Sequence, residues 1–190
     1  VLLRRLLRPA LHGRRAVRAA AGLLRAAGGL AGVLGRDPDL RSPAGLELAI
    51  CREAVLRCLR EPLQGRPLHP AGEALRRYLR ACLGFKPREE FRVLFLDRGR
   101  RLIADERLGV GTVDHAPVYP REVARRSLEL GAAAVVLVHN HPSGDPTPSS
   151  ADVEMTRAVV DALAVFAVGV DDHLVVGRNG VASFAALGLV

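Results

Sequence analysis

Seven consecutive apolar residues, Ala132-Ala133-Ala134-Val135-Val136-Leu137-Val138, run straight into His139-Asn140-His141 and a Pro/Gly-rich loop. An uninterrupted run of this length suits a strand buried on both faces and falls well short of the ~18–20 residues needed to cross a bilayer. Such a strand needs a sheet around it and helices over the sheet. The flanking sequence supplies both. Residues 91–97 and 101–108 read as strands joined by the hairpin turn Arg98-Gly99-Arg100. Pro120 opens a helix as its first residue, Glu122 complements the dipole in the first turn, and the helix runs to about Leu130. A helix of about 15 residues follows Pro148, and short strand patterns lie at 165–168, 173–176 and 181–184. The expected class is α+β in α/β/α-like layers, with a mixed or largely antiparallel sheet and flanking helices.

The first half reads differently. Residues 16–27, 46–59 and 71–83 carry helical patterns, and Leu75, Tyr78, Leu79 and Cys82 form one apolar stripe of the third. Residues 1–88 carry a net charge of +12 and residues 89–190 one of −4. That asymmetry predicts two units with different partners, divided near Gly84-Phe85-Lys86-Pro87. An apolar content of 49% excludes a disordered chain, and with 4% aromatics the core must be built from Leu, Ala and Val. Cys51, Cys58 and Cys82 form no CxxC pair, and their odd number argues for buried free thiols rather than a disulfide framework. The first 36 residues hold arginines and no acid, but the first serine is Ser42, unlike a Ser-rich transit peptide. The reading is a cytoplasmic protein without a membrane segment, whose start at Val1 leaves room for preceding residues.

Chemistry concentrates between His139 and Asp152. Two histidines at strand spacing i, i+2 point the same way, so both imidazoles can converge on one point. The loop turns the chain back, and Asp152 arrives in the first turn of the next helix as a third ligand. Two imidazoles and a carboxylate suit Zn²⁺, with a fourth position left for water in a catalytic site. Hydrolysis is the natural reaction, and it also needs a general base. A purely structural alternative exists for two of these residues, because Ser149 and Asp152 also spell a Ser-x-x-Asp capping box.

The stretch His139-Asn140-His141-Pro142-Ser143-Gly144, with Pro148-Ser149 and Asp152 behind it, resembles the RadC-like family of JAB1/MPN (JAMM) domains. The JAMM pattern is an upstream Glu, His-x-His, ten residues and Asp, with Ser three before the Asp. Here residues 142–151 make the ten. Phe91-Arg92-Val93-Leu94-Phe95-Leu96-Asp97, Pro120-Arg121-Glu122-Val123 and Asp172-His173-Leu174-Val175-Val176-Gly177 are similar to the same family. The resemblance implies a cytidine-deaminase-like mixed sheet over 85–190, a linker helix over 65–84, and a degenerate helix-hairpin-helix-like region over 1–64. It implies a zinc metallopeptidase with His139, His141 and Asp152 on one zinc ion and a peptide or protein substrate. Ser149 would donate a hydrogen bond to the oxyanion or to the water. The acid/base would be Glu89, just before the first strand, with Glu90 and Glu106 as alternatives.

The Gly-x-Gly turn with which a helix-hairpin-helix grips DNA is reduced here to Pro43-Ala44-Gly45, so the basic half is expected to bind nucleic acid weakly or not at all. His173 is expected as a buried histidine bonded to neighbouring backbone, with a supporting or substrate role behind that. His115 is expected at the surface, and Arg121 in a helix-start salt bridge. Two rival functions remain at this level. One is a DNA-associated scaffold. The other is a metal-dependent nuclease, which would want more carboxylates than the nearby Asp145.

Overall fold

The computed structural model describes residues 2–7, 11, 13–111 and 118–190. His115 lies outside them. The chain divides into two compact units, Val1–Cys58 and Leu59–Val190.

The first unit is helical. It comprises α1 (Leu2–Leu6), α2 (Gly13–Ala27), α3 (Leu30–Gly35) and most of α4 (Pro43–Arg60), around a core of Leu3, Leu7, Ala20, Val33 and Leu48. Gly28 and Gly29 end α2 at φ of 69° and 129°, a conformation L side chains avoid. In the first turn of α4, the Gly45 amide donates to Ser42 Oγ at 3.0 Å. A Cβ on Gly45 would lie 1.9 Å from the Asp39 carbonyl oxygen. The single glycine of this turn therefore serves close packing, and its N–H is held within the turn.

The second unit begins with a short 3₁₀ turn (Glu61–Leu63) and α5 (Glu73–Leu83). The strands are β1 (Glu90–Leu96), β2 (Leu102–Val110), β3 (Ala134–Asn140), β4 (Gly169–Val176) and β5 (Val181–Ser183), in sheet order β2-β1-β3-β4-β5. Among the described residues only the β3–β4 pair is parallel, and α7 (Ser150–Ala164) makes that crossover. α6 (Pro120–Leu130) begins at the expected proline and ends at Gly131, whose φ of 63° stops the helix. The class is α+β, as expected, and every residue of β3 is buried.

The two faces of the sheet have different cover. Phe91, Val93, Phe95, Val135 and Leu137 pack with Val123 of α6 and with Val159 and Leu163 of α7. Each such residue fully buried contributes about 1.5–3 kcal/mol. The stripe of α5 is buried as expected, and Tyr78 on it donates to Asp105 of β2 at 2.5 Å. Arg92 of β1 holds the same carboxylate at 2.7 Å.

Two expectations fail. Residues 165–168 form a turn rather than a strand: Val165 and Phe166 are 79% and 47% exposed, and Ala167 has a φ of 55°. Val165 and Phe166 are at the surface, Val168 alone joins the core, and β4 starts only at Gly169. The cysteines are free, but Cys58 is exposed and Cys51 only half-buried, because that face of α4 is not covered within its unit.

Candidate metal centre

The site forms where β3 ends. β1 and β3 are in register with Phe91 opposite His139, so the inward face of β1 continues the inward face of β3. His139 is fully buried and His141, two residues on, shares its face. The loop that follows is tied to the β4–β5 turn. His141 N donates to Val176 O at 3.1 Å, Arg178 N to Gly144 O at 3.1 Å, and the Arg178 guanidinium to Pro142 O at 3.0 Å. Gly177 permits this approach, since a Cβ there would sit 2.3 Å from the Gly144 carbonyl oxygen.

The returning chain delivers Asp152 to the two imidazoles. His139 Nε2 lies 3.2 Å from Asp152 Oδ1, His141 Nε2 lies 3.4 Å from Oδ2, and the two Nε2 atoms are 2.9 Å apart. Ligand atoms of all three residues fall within 4.8 Å of one another. The capping box also forms. Ser149 Oγ accepts from Asp152 N at 3.2 Å, while Asp152 Oδ2 accepts from the Ser149 amide and hydroxyl, each at 2.7 Å. The cap and the metal reading are thus compatible: the serine pins the carboxylate in the orientation that faces both rings.

The chemistry of this donor set fits a divalent cation. His141 Nδ1 is 2.9 Å from the Asp145 carbonyl, which can only accept, so the proton of the neutral ring sits on Nδ1 and Nε2 is a bare lone pair. Two imidazoles and a carboxylate facing one another leave a concentration of lone pairs that only a proton or a metal ion can neutralise. Hydrogen bonding of the charged ring to the accepting Asp152 carboxylate, with help from the Asp145 carbonyl and the Glu89 charge, raises His141 above its ordinary 6.5 against the opposing effect of burial. Burial pushes Asp152 up, but the hydrogen bonds it accepts from Ser149 and from an imidazole whose Nε2 also carries a proton win and hold it far below its ordinary 3.8.

These shifts define a test on chelator-treated protein. The raised His141 contributes stability in full below about pH 6.5, and that contribution is lost as pH rises through its higher folded value. The depressed Asp152 contributes above about pH 3.8 and loses its share only as pH falls through its folded value. The stability advantage of metal-free wild type over Asp152→Asn is therefore expected to shrink as pH rises from about 6.5 through the raised His141 value, a difference from which the opposite contribution of the buried His173 drops out. An advantage that grows over that interval would contradict the pairing.

The three candidate acids separate cleanly. Glu89 is 8% exposed, immediately precedes β1, and lies near enough to His141 for its charge to act on that ring. Glu90 points to the other side, paired with Lys86 at 3.0 Å and Arg107 at 3.7 Å. Glu106 is clasped by two nitrogens of Arg126, at 2.7 and 2.6 Å, and is held below its ordinary range by those bonds. Asp145, considered for a nuclease, spends its carboxylate on Thr147 N and Oγ1 at 2.9 and 2.7 Å. Arg121 meets Glu122 at 3.7 Å, as expected of a helix start.

Sequence reading missed Asn140. Its Oδ1 accepts from Glu90 N at 2.9 Å and its Nδ2 donates to Arg88 O at 3.1 Å, so one buried carboxamide holds both peptide groups flanking Glu89. Strand alternation was the available signal, because the residue between two inward histidines must point outward, toward whatever packs there. Asn140→Ala orphans both groups and is expected to cost about 1–3 kcal/mol in denaturant unfolding. An unchanged midpoint would show that the clamp contributes nothing.

His173 is buried as expected, but its partners are side chains rather than neighbouring backbone: His139 at 2.7 Å and Thr156 at 2.6 Å.

A five-stranded mixed sheet between helices, with His-x-His closing the central strand and an acid on the next helix, defines a domain of the JAB/MPN type. The chain belongs to the RadC-like JAB domain family, which matches residues 70–189. It is 50% identical over 144 residues to a UPF0758 protein of Rhodobacter capsulatus, an alignment covering 76% of this chain and 67% of that one. Among the described residues, no helix is long and apolar enough to cross a membrane.

Proposed function

We propose that the second unit is a zinc-dependent hydrolase of the JAMM metallopeptidase type, acting on a peptide or isopeptide carbonyl. The convergence of His139, His141 and Asp152 within 4.8 Å, with Glu89 beside them, is the observation that supports it. Bound there, zinc would polarise the substrate carbonyl and acidify water. His139 and His141 would hold the ion through Nε2, and Asp152 through its carboxylate. Glu89 takes the proton of the attacking water on its carboxylate and returns it to the departing amine nitrogen. Ser149 keeps Asp152 oriented, and its hydroxyl can turn from Asp152 Oδ2 to donate to the oxyanion. Three free cysteines suit a reducing cytoplasm.

The test is cleavage of fluorogenic peptides and lysine-ε-linked isopeptides. Activity should vanish with a chelator and return with zinc, whereas cleavage indifferent to chelation would refute the metal role. For the first unit we propose only weak, salt-sensitive contact with nucleic acid, supported by exposed Arg14, Arg15, Arg18 and Arg25 on α2.

A further inference from the structure

His173 and Thr156 take no part in the hydrolysis proposed above, yet both are buried directly behind it. The His173 ring sits 5.8 Å from Phe91 and 4.5 Å from Phe184, centre to centre. Both of its nitrogens are engaged. Nε2 lies 2.7 Å from His139 Nδ1, Nδ1 lies 2.6 Å from Thr156 Oγ1, and Thr156 Oγ1 lies 2.5 Å from the backbone oxygen of Asp152. The line runs from β3 through β4 to α7 and joins one candidate ligand to the backbone of another.

The far end of this line fixes every proton in it. A carbonyl oxygen only accepts, so the Thr156 hydroxyl must donate to Asp152 O. Thr156 Oγ1 is then left to accept, and His173 must carry its proton on Nδ1. His173 is fully buried between Phe91 and Phe184, and with the single proton of its neutral ring given to Thr156 its Nε2 is bare. A bare Nε2 can only accept, which places the His139 proton on Nδ1. The neutral His139 ring then has an open lone pair on Nε2, the atom that faces His141 and Asp152.

We propose that His173, set by Thr156, is a positioning residue that locks His139 in its Nδ1–H tautomer and so presents Nε2 to a divalent cation. The part concerning the cation rests on the metal-centre reading, while the tautomer does not. Supporting partners of this kind change metal affinity by about 10–100-fold when removed.

The experiment uses the full chain with three variants, His173→Leu, His173→Gln and Thr156→Val. Zinc affinity is measured by competition with a chromophoric chelator, and the His139 tautomer by ¹⁵N shifts of the ring in metal-free protein. Thermal unfolding reports whether each variant folds. Wild type should show His139 as the Nδ1–H form. His173→Leu, with no acceptor, should bind zinc about 10–100-fold more weakly and populate the Nε2–H form. His173→Gln, whose Oε1 can accept from His139 Nδ1, should regain most of the affinity and the original tautomer. Thr156→Val removes the hydroxyl at nearly constant shape and should admit the second tautomer even if the leucine variant does not fold. Equal loss in the leucine and glutamine variants with an unchanged tautomer would mean a packing role only and would overturn the proposal. Zinc affinity in folded His173→Leu equal to wild type would overturn it too. If wild type binds no zinc, the metal-centre reading fails, while the ring shifts still decide the tautomer.

Discussion

His139→Ala is expected to leave the chain unable to retain zinc through purification. Structural zinc sites bind with about 10–16 kcal/mol, so one ligand of four carries roughly 2.5–4 kcal/mol, a loss of about 60-fold to a thousandfold in affinity. The substitution also removes the partner of His173 Nε2 and empties a fully buried position, so a fall in stability accompanies the loss of metal. His141→Ala separates the two effects. Its side chain is 18% exposed and sits at the loop, where truncation leaves a smaller gap. Metal analysis of both variants alongside their melting temperatures should show zinc lost in each and stability lowered mainly in the first. One zinc per chain in either folded variant would mean that the ion is held elsewhere.

Glu89→Gln is the second large effect. It keeps the shape and the backbone clamp made by Asn140, and it removes both the ability to accept a proton and the charge that acts on His141. Turnover of a cleaved isopeptide should fall by about 10²–10⁴-fold with zinc content unchanged, the usual scale for losing a general base. The same change at Glu90 or Glu106 should act on stability instead. Glu90 belongs to a pair with Lys86 in which both side chains are 6% exposed, and breaking a buried pair leaves a charge uncompensated. Glu106 is held by Arg126 on α6. Full turnover by Glu89→Gln would remove that residue from the reaction.

Much of this architecture was legible because its causes are local. An unbroken apolar run has few other uses than a doubly covered strand, Pro120 and Gly131 mark the ends of α6 by backbone chemistry alone, and i, i+2 spacing sets both imidazoles on one side of β3. The Glu89 and Glu90 alternatives were separable in principle by the same alternation, and the structure sends Glu90 to Lys86. What escaped depends on distant contacts. Asn140 acts across 50 residues on the segment before β1, and His173 finds His139 only once β4 is laid parallel to β3. The apolar letters at 165–168 were misleading because the chain turns there, with Ala167 at a positive φ, so that Val165 and Phe166 reach the surface and only Val168 enters the core. Ser149 carried two readings in the sequence, and the geometry joins them: the cap is how Asp152 is aimed.

Zinc K-edge X-ray absorption on protein loaded with one equivalent of metal tests the central claim most directly. Ligation by His139, His141 and Asp152 should give a shell of nitrogen and oxygen alone at about 2.0–2.2 Å, with outer scattering from two imidazole rings. A sulfur shell near about 2.3 Å would contradict the account, because it would place the ion on Cys51, Cys58 or Cys82 and away from the end of β3.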